Sequence, residues 1–196
     1  MSEPSNERWR LFVALTPPET VRSAIASAQT ILRHKLPEAS IRWLPAAQFH
    51  LTMKFFGDVP VTSLEHLVGC LRAACTGTGP LHLRATAVGF FPNAKSARII
   101  WAGVRDSTDK LPALHRAIEI ATCEFRHEEE RPFKGHITIG RIKRLSHCDA
   151  STAARLGHEF SSQEFGDWTA SALELFRSEL TPDGARHSLL QQTQLS

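Results

Sequence analysis

Apolar and polar residues alternate along several short stretches of the chain, and this period-two pattern predicts β-strands. The predicted strands are Arg10–Leu15, Ile41–Leu44, a strand from about His50 to Phe56, 81–91, 98–104, a strand from about His136 to Ile142, 172–176 and 185–190. Apolar residues three or four positions apart predict helices. The first predicted helix begins after Pro17 and Pro18, with Thr16 as its N-cap, and ends at about His34. The other three cover about 63–75, 108–125 and 151–158.

The order of these elements predicts an α+β fold with two similar halves, and not a parallel doubly wound sheet. Tight turns at Pro92-Asn93 and Pro182–Gly184 favour antiparallel pairing. We expect two antiparallel sheets related by a pseudo-twofold axis, with helices packed outside and a central cleft. Residues 1–8 are expected to form a flexible tail, and residues 9–196 a single two-lobed domain.

Two of the predicted strands carry the same motif, His-x-Thr. It occurs as His50 and Thr52, and again as His136 and Thr138, each time between apolar residues. Because residues i and i+2 of a strand share a face, each strand presents an imidazole beside a hydroxyl. One copy would be weak evidence, since histidines are common on solvated strand faces. The repetition in matching contexts predicts a two-histidine site across a cleft.

Composition indicates which partner and which cellular compartment are expected for such a site. The net charge is +3 and the calculated pI is about 8.8, which permits an anionic partner without requiring one. Four cysteines form no C-x-x-C pair and no ligand-spaced Cys/His cluster, so we expect free thiols in a reducing cytosol. No stretch approaches the roughly 18 apolar residues of a membrane span, and the first residues are polar. We therefore expect a cytoplasmic protein without membrane contact.

Two histidines beside a phosphodiester can divide its proton transfers, because imidazole has an ordinary pKa near 6.5. One accepts a proton from attacking water and the other donates one to the departing oxygen. Thr52 and Thr138 would donate hydrogen bonds to the non-bridging phosphate oxygens. This chemistry needs no metal and no cofactor. Metal binding by His50 and His136 remains an alternative, although no acidic ligand accompanies them at a recognisable spacing.

Three further side chains are candidates for substrate binding. Strand parity predicts that Lys54 faces the same side as His50. Arg141 has the wrong parity relative to His136, but a bulge at Gly140 would turn it toward the site. Phe133 could stack on a base or ribose, or belong to the core. For both cations the alternative is an ordinary solvated position.

Four features together resemble a known superfamily. They are the opening strand Arg10–Leu15, the two His-x-Thr motifs, Arg131-Pro132-Phe133 before the second motif, and Phe176-Arg177-Ser178 before the last hairpin. This set resembles the two-histidine (2H) phosphoesterase superfamily. It is most similar to the bacterial and archaeal RNA 2′,3′-cyclic phosphodiesterases, also called 2′-5′ RNA ligases. One departure is His187, which stands where an aromatic side chain is common in the last hairpin.

The resemblance implies a bilobal fold and metal-independent opening of a terminal 2′,3′-cyclic phosphate to a 2′-phosphate, with 2′-5′ ligation as the reverse reaction. It implies that His50 is the proton donor and His136 the proton acceptor, with Thr52, Thr138 and Arg141 on the phosphate. The expected partners are RNA 3′ ends that carry the cyclic phosphate, tRNA fragments among them, and the expected state is a monomer.

Two rival functions stay open at this point. The first is another 2H phosphodiesterase that acts on small cyclic nucleotides or on 2′-5′ oligonucleotides. The second is a non-catalytic module that binds RNA ends. The two histidines count against the second, because a pure binder would be better served by permanent cations.

Overall fold

The computed structural model describes residues 7–125, 132–182 and 184–196. Its strands are β1 (Arg8–Leu15), β2 (Ile41–Trp43), β3 (Leu51–Pro60), β4 (Leu81–Phe91), β5 (Ile99–Asp106), β6 (His136–Ile142), β7 (Glu164–Ala170), β8 (Ala172–Thr181) and β9 (Gly184–Gln194). Its α-helices are α1 (Glu19–Lys35), α2 (Leu64–Cys75), α3 (Lys110–Ala121) and α4 (His147–Glu159). No described helix is long and apolar enough to cross a membrane.

The strands form two antiparallel halves with matching order. The path β7-β4-β5-β6 continues as β3-β1-β8-β9, and β2 pairs with β6 outside this path. The strands β3 and β6 pair at Leu51 with Ile137, and this pair joins the two predicted sheets into a nine-stranded one. A pseudo-twofold axis between β3 and β6 relates the units β1-α1-β3-α2 and β5-α3-β6-α4. The predicted α+β, two-halved architecture is confirmed.

One face of the sheet and all four helices share a single hydrophobic core. The helix α1 contacts β7, α2 contacts β9, α3 contacts β3 and α4 contacts β4. In β1, Leu11, Val13 and Leu15 point into this core because alternate side chains share a face. The ring of Phe12 points the other way, toward the face that carries the His-x-Thr motifs.

Several element boundaries differ from the sequence predictions. The strand β7 was not predicted, because Gly166, which has a φ of 114°, interrupts its alternation. The strand predicted to end at Phe56 continues as β3 to Pro60, with Gly57 at a positive φ. The N-cap of α1 is Pro18, and the Thr16 hydroxyl instead donates to the Glu174 carboxylate of β8.

The helix predicted over 151–158 begins earlier, because a capping box defines its start. The Ser146 hydroxyl accepts from the Asp149 amide at 3.1 Å, and the Asp149 carboxylate accepts from the Ser146 amide at 3.3 Å. Arg8, expected in the tail, is the first residue of β1. Residues 1–6 of the expected tail, Arg131 and residue 183 of the predicted last turn lie outside the described residues.

Candidate active site

The two histidines lie at equivalent ends of the central strands. His50 directly precedes β3, and His136 is the first residue of β6. The residues that follow them, Leu51 and Ile137, form the backbone pair between β3 and β6. The two motifs therefore run side by side in opposite directions, and the charge of His136 contributes to lowering the pKa of His50. The structure brings together the two histidines that the repeated motif predicts.

Both imidazole rings are held in the same way. The Nδ1–H of His50 donates to the Gln48 carbonyl, and the Nδ1–H of His136 donates to the Lys134 carbonyl. The nitrogen–oxygen distance is 2.7 Å in both bonds. Because a carbonyl oxygen can only accept, each Nδ1 carries the hydrogen in the neutral ring. This leaves Nε2 of each ring as the nitrogen that can accept or deliver a proton. The fixed tautomer is what paired acid/base chemistry requires.

The threonines follow two residues later on the same face. Thr52 and Thr138 are both half-buried, and each pairs with a strand of its own half, β1 and β5 respectively. Within residues 7–125, 132–182 and 184–196, neither hydroxyl forms a hydrogen bond with another protein group. Both hydroxyls are therefore available to an incoming ligand.

A β-bulge follows the threonine in both strands. In β6, Trp101 pairs with Thr138 but Ile100 pairs with Gly140, which leaves Ile139 as the extra residue. The bulge reverses the parity, so that the exposed Arg141 returns to the face of His136. Partial desolvation of the guanidinium, together with the charges of Arg42 and Arg10, lowers the pKa of Arg141. This local excess of positive charge favours an anion.

The equivalent bulge in β3 makes the prediction for Lys54 wrong. Val13 pairs with Lys54 but Ala14 pairs with Thr52, so Met53 is the extra residue. The Lys54 side chain is consequently turned to the helix side, where only 5% of it is exposed. Its Nζ forms an ion pair with Glu119 of α3 at 2.9 Å and donates to the Thr122 carbonyl at 3.3 Å. Lys54 is a structural residue.

Phe133 has a core contact of its own. Its ring stacks on His115 of α3 with centroids 4.1 Å apart, and it packs partly buried against the hydrophobic core. The side chain that lies against His136 is instead Phe91, whose ring meets the imidazole edge-on at 5.0 Å. Phe91 in turn stacks on Trp101, and the Lys134 ammonium lies 4.7 Å from the Trp101 ring centre.

His187 of β9 is a site residue that the sequence analysis did not select. Its ring lies perpendicular to that of His50 at a centroid distance of 5.5 Å and edge-on to Phe12 at 4.9 Å. Phe12 also stacks on Phe176 of β8 at 5.2 Å, so aromatic rings surround His50. A histidine at position 187, where an aromatic side chain is common, was visible in the sequence. Only the pairing of β9 with β8 and of β8 with β1 brings His187 to His50.

The residues around His50 lower its affinity for a proton. Burial, and next the charge of His187, lower the pKa of His50 to about 4, and the hydrogen bond to Gln48 only partly opposes them. Burial and the charge of Arg141 also lower the pKa of His187. In the free protein at neutral pH, His50 is therefore an uncharged imidazole.

A cavity of about 570 Å³ opens beside His50, toward the C-terminal hairpin. Its lining includes Phe12, Gln48, His50, Phe176, Arg186 and His187. A volume of this size accommodates a small ligand. Among the described residues, His66, Cys70 and Glu124 are close enough to one another to share a metal ion. They lie away from this cavity, at α2 and the end of α3.

Known proteins resemble this chain over most of its length. The profile of the family LigT like Phosphoesterase matches residues 15–101, which include the first motif. An RNA 2′,3′-cyclic phosphodiesterase of Methanothermobacter thermautotrophicus is 30% identical over 175 residues, which are 89% of this chain and 92% of the relative. The chain belongs to the LigT-like phosphoesterases.

A second relative and two solved structures match nearly the whole chain. A relative from Thermus thermophilus, also named RNA 2′,3′-cyclic phosphodiesterase, is 29% identical over 95% of this chain and 90% of its own. A solved Thermus thermophilus structure superposes with a TM-score of 0.77 at 28% identity, covering 95% of this chain and 97% of that one. Escherichia coli LigT in complex with 3′-AMP shares the fold, with a TM-score of 0.75 at 21% identity over 97% of this chain and 99% of that one.

Proposed function

We propose that this protein hydrolyses RNA 2′,3′-cyclic phosphate ends to 2′-phosphates without a metal or cofactor. The observation that carries the proposal is the pair of equivalent histidines, each donating Nδ1–H to a carbonyl two residues earlier, so that Nε2 is the basic nitrogen of the neutral ring. The relatives named RNA 2′,3′-cyclic phosphodiesterase, at 26–30% identity, support the choice of substrate. Since each half supplies one histidine, residues 9–196 act as a single two-lobed domain.

The two imidazoles have opposite tasks in this reaction. Nε2 of His136 takes a proton from water as the water oxygen forms its bond to phosphorus. The bond from phosphorus to O3′ breaks, and Nε2–H of His50 gives its proton to that oxygen. The 2′-phosphate ester remains, and each histidine then holds the proton state that the other began with. If a 5′-hydroxyl attacks phosphorus in place of water, the bond to O3′ breaks in the same way and a 2′-5′ linkage results.

His50 must first acquire the proton that it donates, because its low pKa leaves it neutral in the free protein. A bound phosphodiester carries a negative charge, and an opposite charge within a few ångströms raises the pKa of an imidazole. Substrate binding therefore supplies the condition for protonation. An acid whose intrinsic pKa is low is also a good donor once it is charged.

Thr52, Thr138 and Arg141 bind the non-bridging phosphate oxygens in this proposal. Charge accumulates on these oxygens in the transition state, where hydroxyl and guanidinium donors contribute most. The unengaged threonine hydroxyls and the concentration of positive charge around Arg141 support this assignment. The substrates are RNA 3′ ends with a cyclic phosphate, including tRNA fragments, and we expect the protein to act as a monomer.

The test is hydrolysis of a short RNA with a 2′,3′-cyclic phosphate end, in EDTA, from pH 5 to 9, with the product phosphate assigned. We expect a 2′-phosphate, a bell-shaped pH profile, and a loss of about a hundredfold or more in His50→Ala and in His136→Ala. His158→Ala, which removes an exposed imidazole of α4, should keep full activity.

Two results would refute the mechanism. One is a requirement for added metal, and the other is wild-type activity in either histidine variant. Tight binding of the RNA end without turnover would identify a binding module. Faster turnover of mononucleotide 2′,3′-cyclic phosphates or 2′-5′ dinucleotides than of RNA would identify a different 2H phosphodiesterase.

A further inference from the structure

A second group of chemically reactive side chains lies outside the cleft, between α2 and the end of α3. His66 and Cys70 are one helical turn apart on α2, and Glu124 follows the last turn of α3. The three potential ligand atoms all lie within 4.8 Å of one another. His66 Nε2 is 2.6 Å from Glu124 Oε1 and 3.9 Å from Cys70 Sγ.

These separations are close to those of a tetrahedral metal site. Zinc binds nitrogen and oxygen at about 2.0–2.2 Å and sulfur at about 2.3 Å, so its ligand atoms lie about 3.3–3.6 Å apart. On zinc binding, the distance from His66 Nε2 to Glu124 Oε1 must increase and the distance from His66 Nε2 to Cys70 Sγ must decrease, each by less than about 1 Å. The His66 and Glu124 side chains are 61% and 56% exposed, so both can make this adjustment without disturbing the core.

The backbone beneath the ligands is well anchored. Thr122 is fully buried, and its hydroxyl donates to the Ile118 carbonyl at 2.6 Å. The ring of Phe125 packs edge-on against Phe56 at 6.4 Å and lies 5.8 Å from the His66 ring. Glu124 is therefore held between two anchored neighbours, next to α2. A site with this backbone loses little conformational entropy when a metal binds.

We propose that His66, Cys70 and Glu124 form a Zn²⁺ site that is separate from the two-histidine cleft. Thiolate, imidazole and carboxylate together favour zinc over magnesium or calcium, which prefer oxygen ligands. Water or the neighbouring Cys123 thiol completes the coordination. Bound zinc would cross-link α2 to the end of α3. The sequence shows no ligand-spaced cluster here because Glu124 comes from a part of the chain distant from His66 and Cys70.

The test uses the full, reduced protein, freed of metal and titrated with Co²⁺ and then Zn²⁺ at pH 8. An alkaline pH is needed because partial burial and the charge of Glu124 raise the pKa of the Cys70 thiol. We expect one equivalent of Co²⁺ to produce the near-ultraviolet absorption of a thiolate–cobalt bond, and Zn²⁺ to displace it. Imidazole binding at His50 or His136 cannot produce this band.

Cys70→Ser should abolish the cobalt–thiolate band and weaken zinc binding at least about a hundredfold, and Glu124→Gln at least about tenfold. Cys148→Ser, which changes an exposed thiol of α4, is the matched control and should bind as the wild type does. Zinc should raise the Tm of the wild type but not of Cys70→Ser. Hydrolysis of cyclic phosphate ends by Cys70→Ser should equal that of the wild type.

The proposal fails if no thiolate band forms, or if Cys70→Ser binds zinc as tightly as the wild type. His66 and Glu124 would then be an ordinary surface ion pair. The metal-free Cys70→Ser protein should have the circular dichroism spectrum of the wild type, so that a loss of binding is not a loss of fold. Because the readouts are metal affinity and Tm, they are independent of the proposed hydrolytic activity.

Discussion

His187 lies where its charge acts directly on the candidate proton donor. Its imidazole meets that of His50 at 5.5 Å, and after burial it is the largest cause of the low pKa of His50. Its own pKa is lowered by burial and by Arg141. The Nδ1 atom of His187 is buried without a hydrogen-bond partner in the described part of the chain. Histidine at this position is therefore costly, and it influences the acid/base chemistry of its neighbour.

Replacing His187 with phenylalanine should raise the pKa of His50. The variant removes a neighbour that is positive when protonated and keeps an aromatic ring against Phe12. If His50 donates the proton, activity is lost at high pH as His50 deprotonates, so the alkaline limb of the kcat–pH profile should move to higher pH. The measurement is kcat for RNA cyclic phosphate ends from pH 5 to 9.

Leu180→Phe, an exposed change on the adjoining strand β8 outside the cavity, serves as the control and should leave the profile in place. A shift of the acidic limb instead would show that His50 is the base and His136 the donor. An unchanged profile would show that His187 does not influence either histidine in the complex.

At the level of the strands, the two bulges decide which side chains reach the cleft. Residues five positions after each histidine, Phe55 and Arg141, occupy equivalent places because each strand has one extra residue between the threonine and this position, Met53 in β3 and Ile139 in β6. A bulge was predicted in β6 but not in β3, and the prediction for Lys54 was wrong for that reason. The duplication itself was the missed signal, since two equivalent strands are expected to share an irregularity.

Gln29 of α1 supports the bulge of β6. Its buried side-chain amide donates to the Ile139 and Leu44 carbonyls, both at 2.8 Å. The Ile139 carbonyl belongs to the extra residue of the bulge and also accepts from the Leu44 amide at 3.1 Å. Gln29 is thus a positioning residue for Arg141, although it lies on the core side of the sheet.

Gln29→Leu should reduce kcat/KM by about tenfold to a hundredfold, because small displacements of a positioned charge have effects of this size. It should also lower the free energy of unfolding by about 1–3 kcal/mol, since two buried carbonyls lose a donor. The measurements are kcat/KM for RNA cyclic phosphate ends and urea unfolding of the same preparations.

Lys54→Met is the matched control on the equivalent bulge. It removes the ion pair with Glu119 and the bond to Thr122, and should lower the free energy of unfolding by about 1–3 kcal/mol. Its kcat/KM should equal that of the wild type, because Lys54 faces the helices. Equal losses of activity in both variants would show that activity follows stability and not the position of Arg141.

For the whole molecule, the half-buried His50 makes the folded state sensitive to acid. Its pKa is about 4 in the folded protein and near 6.5 when the chain is unfolded. Between these values the unfolded chain binds more protons, so the free energy of unfolding falls as the pH decreases from 6.5 to 4. His187, whose pKa is also lowered, acts in the same direction.

His50→Gln should therefore lose less stability in acid than the wild type. Between pH 7 and pH 4.5, we expect the decrease in the free energy of unfolding to be smaller by about 2 kcal/mol in the variant. Urea unfolding at both pH values measures this difference, and carboxylate titration cancels because both proteins share it. Parallel decreases in the two proteins would show that His50 is not held neutral by the fold.

The sequence by itself determined the repeated chemistry and the general architecture. Alternating residues around His50 and His136 identified two strands with one polar face each, because side-chain direction in a strand has a period of two. The order of strands and helices then indicated two α+β halves. Even the departure at His187 was visible in the amino acids alone.

Tertiary structure decided everything that depends on hydrogen-bond register and on distant strands. The bulges after Thr52 and Thr138 exist only in relation to their partners β1 and β5, so strand parity could not place Lys54. The C-terminal hairpin reaches β1 across nearly the whole chain, and no local pattern encodes that pairing. The low pKa of His50 follows from the burial and the neighbouring charge that this long-range pairing creates.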